Sequence, residues 1–227
     1  MRHVVVGAVL LLAACATEKE KPLLPAVDPA QMFLHELETR LLRAKTLHVV
    51  AESVSEGAVN SALTTEVFLG DGQKARVEVR GMFEGRQVSS WFICDGTSMK
   101  VRGKEATAAA PEVRDAVVVG LVRMGLLHNA AILVGGGAPD HAAGGARDWV
   151  RAERPTSGAE RATDITYDVV VRHEVMGQAT LSLLPDERPV KRVATVHFEE
   201  GDMHVEEKYT LFEIDAAVDD SVFSLAP

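Results

Sequence analysis

Two histidines in the C-terminal part of the chain come closest, by residue type and spacing, to a metal site. His197 and His204 lie on either side of the turn sequence Glu200-Gly201, and two imidazoles on opposed strands of a hairpin lie within reach of one ion. Three acidic residues occur nearby, but their spacing does not specify a third ligand. We therefore favour two solvated histidines on an exterior face and predict no metal site.

Nucleophilic catalysis lacks a sequence context that would support it. The chain contains no Gly-x-Ser-x-Gly turn. Cys94 follows Phe92 and Ile93 and has no basic neighbour that would lower its pKa, so we expect a buried, inert thiol. The glycine-rich stretch at residues 135–145 is not followed by Lys-Ser or Lys-Thr and is therefore a poor phosphate cradle. The sequence predicts no catalytic residue, no cofactor and a protein that is not an enzyme.

Lipid attachment is the chemistry indicated at the other cysteine, Cys15. This residue closes the sequence Leu12-Ala13-Ala14-Cys15, which follows Arg2 and an apolar run at residues 4–12. The run is too short to span hydrocarbon, which needs about 20 residues. The layout resembles the signal peptide of bacterial lipoproteins, which implies that residues 1–14 are removed and that the cysteine sulfur carries a lipid. An ordinary cleaved signal and a short membrane anchor are the alternatives.

The charge balance restricts the partners that the chain can bind. Its formal net charge is −9 and it contains no basic stripe, which argues against a nucleic-acid partner. The same acidity weakens adsorption to anionic lipid headgroups, so membrane attachment would depend on acyl chains at Cys15. With that cysteine lipidated, the second of the two cysteines has no partner for an internal disulfide.

Residues 15–29 are predicted to form the lipidated cysteine and a flexible tether, because this stretch is charged and contains prolines. Ala16, in place of an aspartate, resembles signals that are sorted to the outer membrane, which implies anchoring there on the periplasmic side. The remaining residues, 30–227, are interpreted as one domain.

The elements of this domain are indicated by caps, turns and apolar periods. Asp28-Pro29 predicts the start of a helix whose apolar stripe packs on a sheet. From Leu47 onward the period changes to two, with turn sequences such as Glu84-Gly85 between the runs, which predicts antiparallel strands. The predicted strands cover residues 62–69, 74–80, 87–94, 98–101, 165–175, 178–184, 190–199 and 203–214.

Two further patterns concern the apolar face of the sheet. Residues 112–134 are so apolar that we expect one broken helix or two, with Gly120 and Gly125 as weak points, covered nearly all round or lying in a concave apolar surface. In the last hairpin, a turn at Glu200-Gly201 places every apolar residue on one face. The pairs expected from this register are Phe198 with Met203, Val196 with Val205, and His197 with His204 on the other face.

The order of these parts resembles the LolA/LolB superfamily of outer-membrane lipoprotein carriers. The likeness is carried by the aromatic strand and Asp-Gly turn Trp91-Phe92-Ile93-Cys94-Asp95-Gly96 and by the ending Asp220-Ser221-Val222-Phe223-Ser224-Leu225. The resemblance implies an α+β fold, namely a curved antiparallel half-open β-barrel with helices lidding the concave face. Residues 112–134 would form the lid.

The same resemblance implies that the protein binds lipid or lipoprotein acyl chains in an apolar cavity without covalent chemistry. The alternative function is an interaction or stress-sensing module with the same fold and a filled core, whose partner would be an envelope protein. The candidate cavity residues are Val77, Val79, Phe92, Met99, Leu181, Leu183, Val196, Phe198 and Val205.

Overall fold

The fold is described from a computed structural model for residues 28–135, 153–155, 158–161 and 163–225. The signal sequence, Cys15 and nearly all of the tether lie outside the described residues, as does most of the glycine-rich stretch, so those interpretations stay predictions. Within the described part, none of the helices is both long enough and apolar enough to cross a membrane.

The first helix begins where the sequence indicates. α1 (Pro29–Arg43) is capped by Asp28, whose carboxylate accepts a hydrogen bond of 2.9 Å from the N–H of Ala30. The second oxygen of this carboxylate accepts a hydrogen bond of 2.8 Å from the N–H of Gly158. One side chain therefore caps the helix and ties it to an edge of the sheet, and the predicted leucine stripe of α1 is buried.

A single sheet of eleven strands contains every strand of the described residues, and all neighbouring strands in it are antiparallel. The strand order is β6-β5-β4-β3-β2-β1-β11-β10-β9-β8-β7, so the first and last strands meet at its centre while β6 and β7 form its edges. The predicted curved, half-open antiparallel arrangement is thereby confirmed. The strands are β1 (Leu47–Gly57), β2 (Ser61–Leu69), β3 (Lys74–Phe83), β4 (Arg86–Asp95), β5 (Ser98–Val101), β6 (Thr107–Ala108), β7 (Gly158–Arg161), β8 (Asp164–Val171), β9 (Glu174–Leu183), β10 (Pro189–Phe198) and β11 (Gly201–Ile214).

One predicted strand is wrong. The run at residues 165–175 is divided by a tight turn between β8 and β9, in which Arg172 and His173 adopt φ values of 53° and 65°. Positive φ at both central positions matches the twist of a hairpin, but it is usually signalled by Asn or Gly. Because neither residue type is present, the sequence conceals this turn.

The apolar segment at residues 112–134 forms two helices, α2 (Val113–Arg123) and α3 (Leu126–Val134), as one of the two predicted outcomes. The break lies at Gly125, whose φ of 85° favours glycine. Gly120 is not a weak point but lies inside α2, where a Cβ atom would stand 2.6 Å from the side chain of Asn129. This glycine therefore allows close packing of α3 against α2.

The register of the last hairpin differs from the prediction by two residues. The turn is Glu199-Glu200, and Phe198 pairs with Gly201. Since the side-chain period of a strand is also two, the assignment of residues to the two faces survives the shift. The pairs found are Val196 with Met203 and Ala194 with Val205 on the apolar face, and His197 with Asp202 and Thr195 with His204 on the other.

Candidate functional site

An apolar pocket lies between α3 and one end of the sheet. At this end of the sheet lie the β1–β2, β3–β4, β8–β9 and β10–β11 connections. The pocket has a volume of about 150 Å³, and its walls come from the end of β3, from β8, β10, β11 and α3, and from the adjoining loops. Its lining residues are Val59, Phe83, Met124, Leu127, His128, Ala131, Val169, Ala194, Val196, Phe198, Met203 and Val205.

Three of the nine candidate cavity residues, Val196, Phe198 and Val205, lie together around this pocket. Phe198 is 41% exposed, so its ring stands at the mouth. The other six lie away from it: Val77, Val79, Phe92, Met99 and Leu181 are buried in the core, and Leu183 is half-buried against it. Ligand binding by any of the nine remains a prediction.

The wall that sequence reasoning missed belongs to the lid. Leu127 and Ala131 of α3 line the pocket, and their spacing of four residues places both on one face of a helix. That spacing was visible in the sequence, but α3 is apolar on nearly every side, so no single stripe distinguishes the pocket face from the others.

The volume of the pocket limits what it holds in this conformation. A cavity of about 150 Å³ accommodates a molecule the size of benzene, whereas sites for drug-sized ligands span roughly 300–1,000 Å³. The end of an acyl chain therefore fits, while a whole chain requires α3 to move away from the sheet.

A buried ion pair lies on the sheet directly under the break between α2 and α3. Arg192 of β10 and Glu207 of β11 are 2% and 1% exposed, and their side chains approach to 4.0 Å. Arg192 donates a hydrogen bond of 2.8 Å to the carbonyl of Val122, in the last turn of α2. Glu207 accepts one of 3.0 Å from the N–H of Leu127, in the first turn of α3. We call this pair with its helix contacts the lid anchor.

The signs of the two charges match the helix ends that they touch. The C-terminal end of a helix carries partial negative charge and the N-terminal end partial positive charge, so a cation is favoured under α2 and an anion under α3. Ser53 supports the anion by donating a hydrogen bond of 3.2 Å to Glu207. A Cβ at Gly125 would stand 2.5 Å from Nη1 of Arg192, so glycine permits this close approach.

Two buried tyrosines adjoin the lid anchor. Tyr167 donates a hydrogen bond of 3.3 Å to the same Val122 carbonyl, and the ring of Tyr209 lies on the neighbouring part of β11. Burial raises the pKa of Tyr167 above its ordinary value and raises the pKa of Tyr209 well above it. Burial alone would lower the pKa of Arg192, but the neighbouring phenol and carboxylate groups outweigh this effect and raise it.

A second ion pair joins the lid to α1. Arg123 at the end of α2 donates two hydrogen bonds, of 2.7 and 2.9 Å, to the carboxylate of Glu38. This pair lines a further pocket of about 210 Å³ between α1 and α2, whose charged wall suits a hydrocarbon chain less well than the apolar pocket does. α2 is thus held by one ion pair at α1 and by a second at the sheet.

Three residues that the sequence offered for metal binding or nucleophilic chemistry, His197, His204 and Cys94, lie outside both pockets. Nδ1 of His197 lies 2.7 Å from a carboxylate oxygen of Asp202, and Nδ1 of His204 lies 3.2 Å from the hydroxyl of Thr195. Across the described ranges, no three His, Cys, Asp or Glu residues are grouped so that they could hold a metal ion. Cys94 is fully buried, as predicted, and burial raises the pKa of its thiol.

Comparison with known proteins gives likenesses of fold only. No protein-family model matches the chain, and no curated protein matches it. A LolA superfamily protein from Nitrosomonas europaea is similar in structure, with 9% identity and a TM-score of 0.40 over 86% of this chain and 97% of that one. The lipoprotein LppX from Mycobacterium tuberculosis is similar too, with 8% identity and a TM-score of 0.39 over 84% of this chain and 97% of that one. The chain is similar to these proteins in the arrangement of helices on a curved antiparallel sheet.

Proposed function

We propose that this protein binds lipid or lipoprotein acyl chains, without covalent chemistry, in the apolar pocket and the lid–sheet interface that continues from it. The observation that carries the proposal is the pocket itself, which is lined by aliphatic, aromatic and methionine side chains together with one histidine, His128, and has the exposed ring of Phe198 at its mouth. Removing α3 from the sheet would add the concave core to this space, because α3 packs on β1 to β4. A bound acyl chain would then make apolar contacts with the sheet in place of the apolar contacts that α3 makes there.

Filling the pocket tests this proposal. Ala194→Phe introduces a ring of the size that a cavity of this volume holds, so we expect decyl maltoside to bind at least about tenfold more weakly, with little change in stability. Val193→Phe is the matched control, since Val193 is 45% exposed on the opposite face of β10. Calorimetry on the chain with Cys15→Ser measures both. Unchanged affinity in Ala194→Phe would show that this pocket is not the binding site.

We further propose that Cys15 is lipidated and anchors the protein in the outer membrane, with the domain on the periplasmic side. Cells given an alkyne analogue of palmitate are expected to label the wild-type chain and Cys94→Ser, but not Cys15→Ser. Label should appear in the outer-membrane fraction. Labelling that persists in Cys15→Ser, or that is lost in Cys94→Ser, contradicts this assignment.

The alternative function, docking of an envelope protein by a domain with a filled core, is favoured by one observation. Val77, Val79, Phe92 and Leu181 are at most 1% exposed, so the centre of the concave face is packed with side chains. Native mass spectrometry of the purified chain separates the two functions. Co-purified lipid supports the acyl-chain proposal, whereas a lipid-free chain that crosslinks to one protein in cells supports docking.

A further inference from the structure

The mouth of the apolar pocket is surrounded by turns that hydrogen-bond to one another. The N–H of Ala58 in the β1–β2 loop donates a bond of 3.0 Å to the carbonyl of Asp202, beside the β10–β11 turn. The N–H of Asn60 in the same loop donates a bond of 2.6 Å to the carboxylate of Glu84, in the β3–β4 turn. The loop thereby joins both turns at the rim of the pocket.

These turns carry mostly negative charge. Glu84 directly follows the lining residue Phe83, and Glu199 directly follows the lining residue Phe198. Glu200 completes the β10–β11 turn, and the carboxylates of Glu84, Glu199 and Glu200 are exposed, whereas Asp202 lies on the other face of the hairpin against His197. The β3–β4 turn is followed by one guanidinium, that of Arg86, which pairs with Phe83 across the hairpin. At the β3–β4 and β10–β11 turns, three exposed carboxylates therefore accompany one permanent cation beside an apolar opening.

We propose that the pocket selects its ligand by headgroup charge and takes an alkyl chain with an ammonium head in preference to the same chain with an anionic head. This inference rests on the proposed function, because a chain that enters the pocket leaves its head at the rim. Glu84 and Glu199 are each one residue from a lining residue, and consecutive Cα atoms are about 3.8 Å apart. A head at the mouth therefore lies within a Debye length, about 8 Å at physiological salt, of these rim carboxylates. Exposed charges are individually weak, but several of one sign act together on the head.

The test compares three amphiphiles of equal chain length, each below its micellar concentration: decyltrimethylammonium, decyl maltoside and decanoate. Calorimetry on the full-length chain with Cys15→Ser is expected to give a Kd for the ammonium that is roughly tenfold lower than for the carboxylate at low salt. The difference should nearly vanish at about 0.5 M salt, where the Debye length falls to a few Å. Equal affinities at low salt would overturn the proposal.

A charge-matched pair of variants separates the rim from the overall acidity of the chain. Glu84→Gln with Glu199→Gln and Glu200→Gln should abolish the discrimination and leave decyl maltoside binding unchanged. Glu36→Gln with Asp71→Asn and Glu105→Gln alters the net charge equally at exposed sites elsewhere and should retain the discrimination. Loss in both variants would assign the effect to net charge and refute the rim. Absent decyl maltoside binding in the parent chain refutes the proposed function itself, whereas binding without charge preference refutes only this inference.

Discussion

Replacing Glu207 by glutamine is expected to lower the free energy of unfolding by about 3–5 kcal/mol, because it leaves the buried Arg192 without its counter-ion. The glutamine oxygen can still accept the hydrogen bond from Leu127, so the loss reports mainly the charge. Urea unfolding of the full-length chain with Cys15→Ser, followed by circular dichroism, measures it. Since the anchor contacts both lid helices, the backbone amides of α2 and α3 in this variant should also exchange their hydrogens faster than those of the sheet.

Two matched variants test this explanation. Glu206 is the preceding residue, but it is only half-buried and pairs with Lys191 and Lys208 at 2.8 and 3.0 Å on the solvated face, so Glu206→Gln is expected to have a far smaller effect. Replacing both members of the anchor, as Arg192→Met with Glu207→Leu, should recover most of the lost stability, because no buried charge is then left unpaired. If Glu207→Gln unfolds no more easily than Glu206→Gln, the ion pair does not hold the lid.

The second large effect expected is alkaline unfolding, which should begin near pH 10 and coincide with tyrosine ionisation. The chain has two tyrosines, Tyr167 and Tyr209, and burial raises the pKa of both in the folded state. Below about pH 10 both are protonated in the folded and the unfolded chain, so their contribution to stability is fully present. As the pH rises toward the folded pKa values, the unfolded chain loses protons first, and each tyrosine removes up to about 1.4 kcal/mol of stability per pH unit.

The measurement pairs tyrosinate absorbance with circular dichroism across the alkaline range. Both signals should change together. Tyr209→Phe should reduce the slope of the free energy of unfolding against pH by the contribution of one tyrosine, up to about 1.4 kcal/mol per pH unit. At neutral pH this variant should be nearly as stable as the parent, because the hydroxyl of Tyr209 makes no hydrogen bond of ordinary length and angle within the described residues, although the nearby Glu207 carboxylate contributes to the rise in its pKa. Tyrosinate that forms near pH 10 while the fold stays intact would show that the site beneath the lid is open to solvent.

Local patterns were sufficient to predict most of the sheet. The strand over residues 98–101 was predicted with its observed ends, and the turn at Glu84-Gly85 was recognised because Gly permits the positive φ found there. The Asp95-Gly96 turn was recognised as well, and in it the carboxylate of Asp95 accepts hydrogen bonds of 2.8 Å from the N–H groups of Thr97 and Ser98. These hydrogen bonds lower the pKa of Asp95. Turns of this kind depend on neighbours in sequence, so single-residue signals suffice.

The candidate site was predicted only in part. Val196, Phe198 and Val205 were identified because the period of two separates the faces of a hairpin, and this separation holds even though the register was wrong by two residues. The lid anchor was not predicted. The period of two places Arg192 and Glu207 on the apolar face, with Val196 and Val205, and Lys191 and Glu206 on the other face. That position was the available signal, but it does not show what the two charges contact or that they are buried.

The sequence by itself determined the order of elements, the two faces of the strands, the capped start of α1 and the break at Gly125, because each depends on residues within one turn or hairpin. The tertiary structure alone decided which apolar residues surround a pocket and which charges are buried. The anchor shows why, since Ser53, Val122 and Glu207 come from three distant parts of the chain. No period or spacing records such a meeting, because burial depends on which surfaces the folded sheet and helices bring into contact.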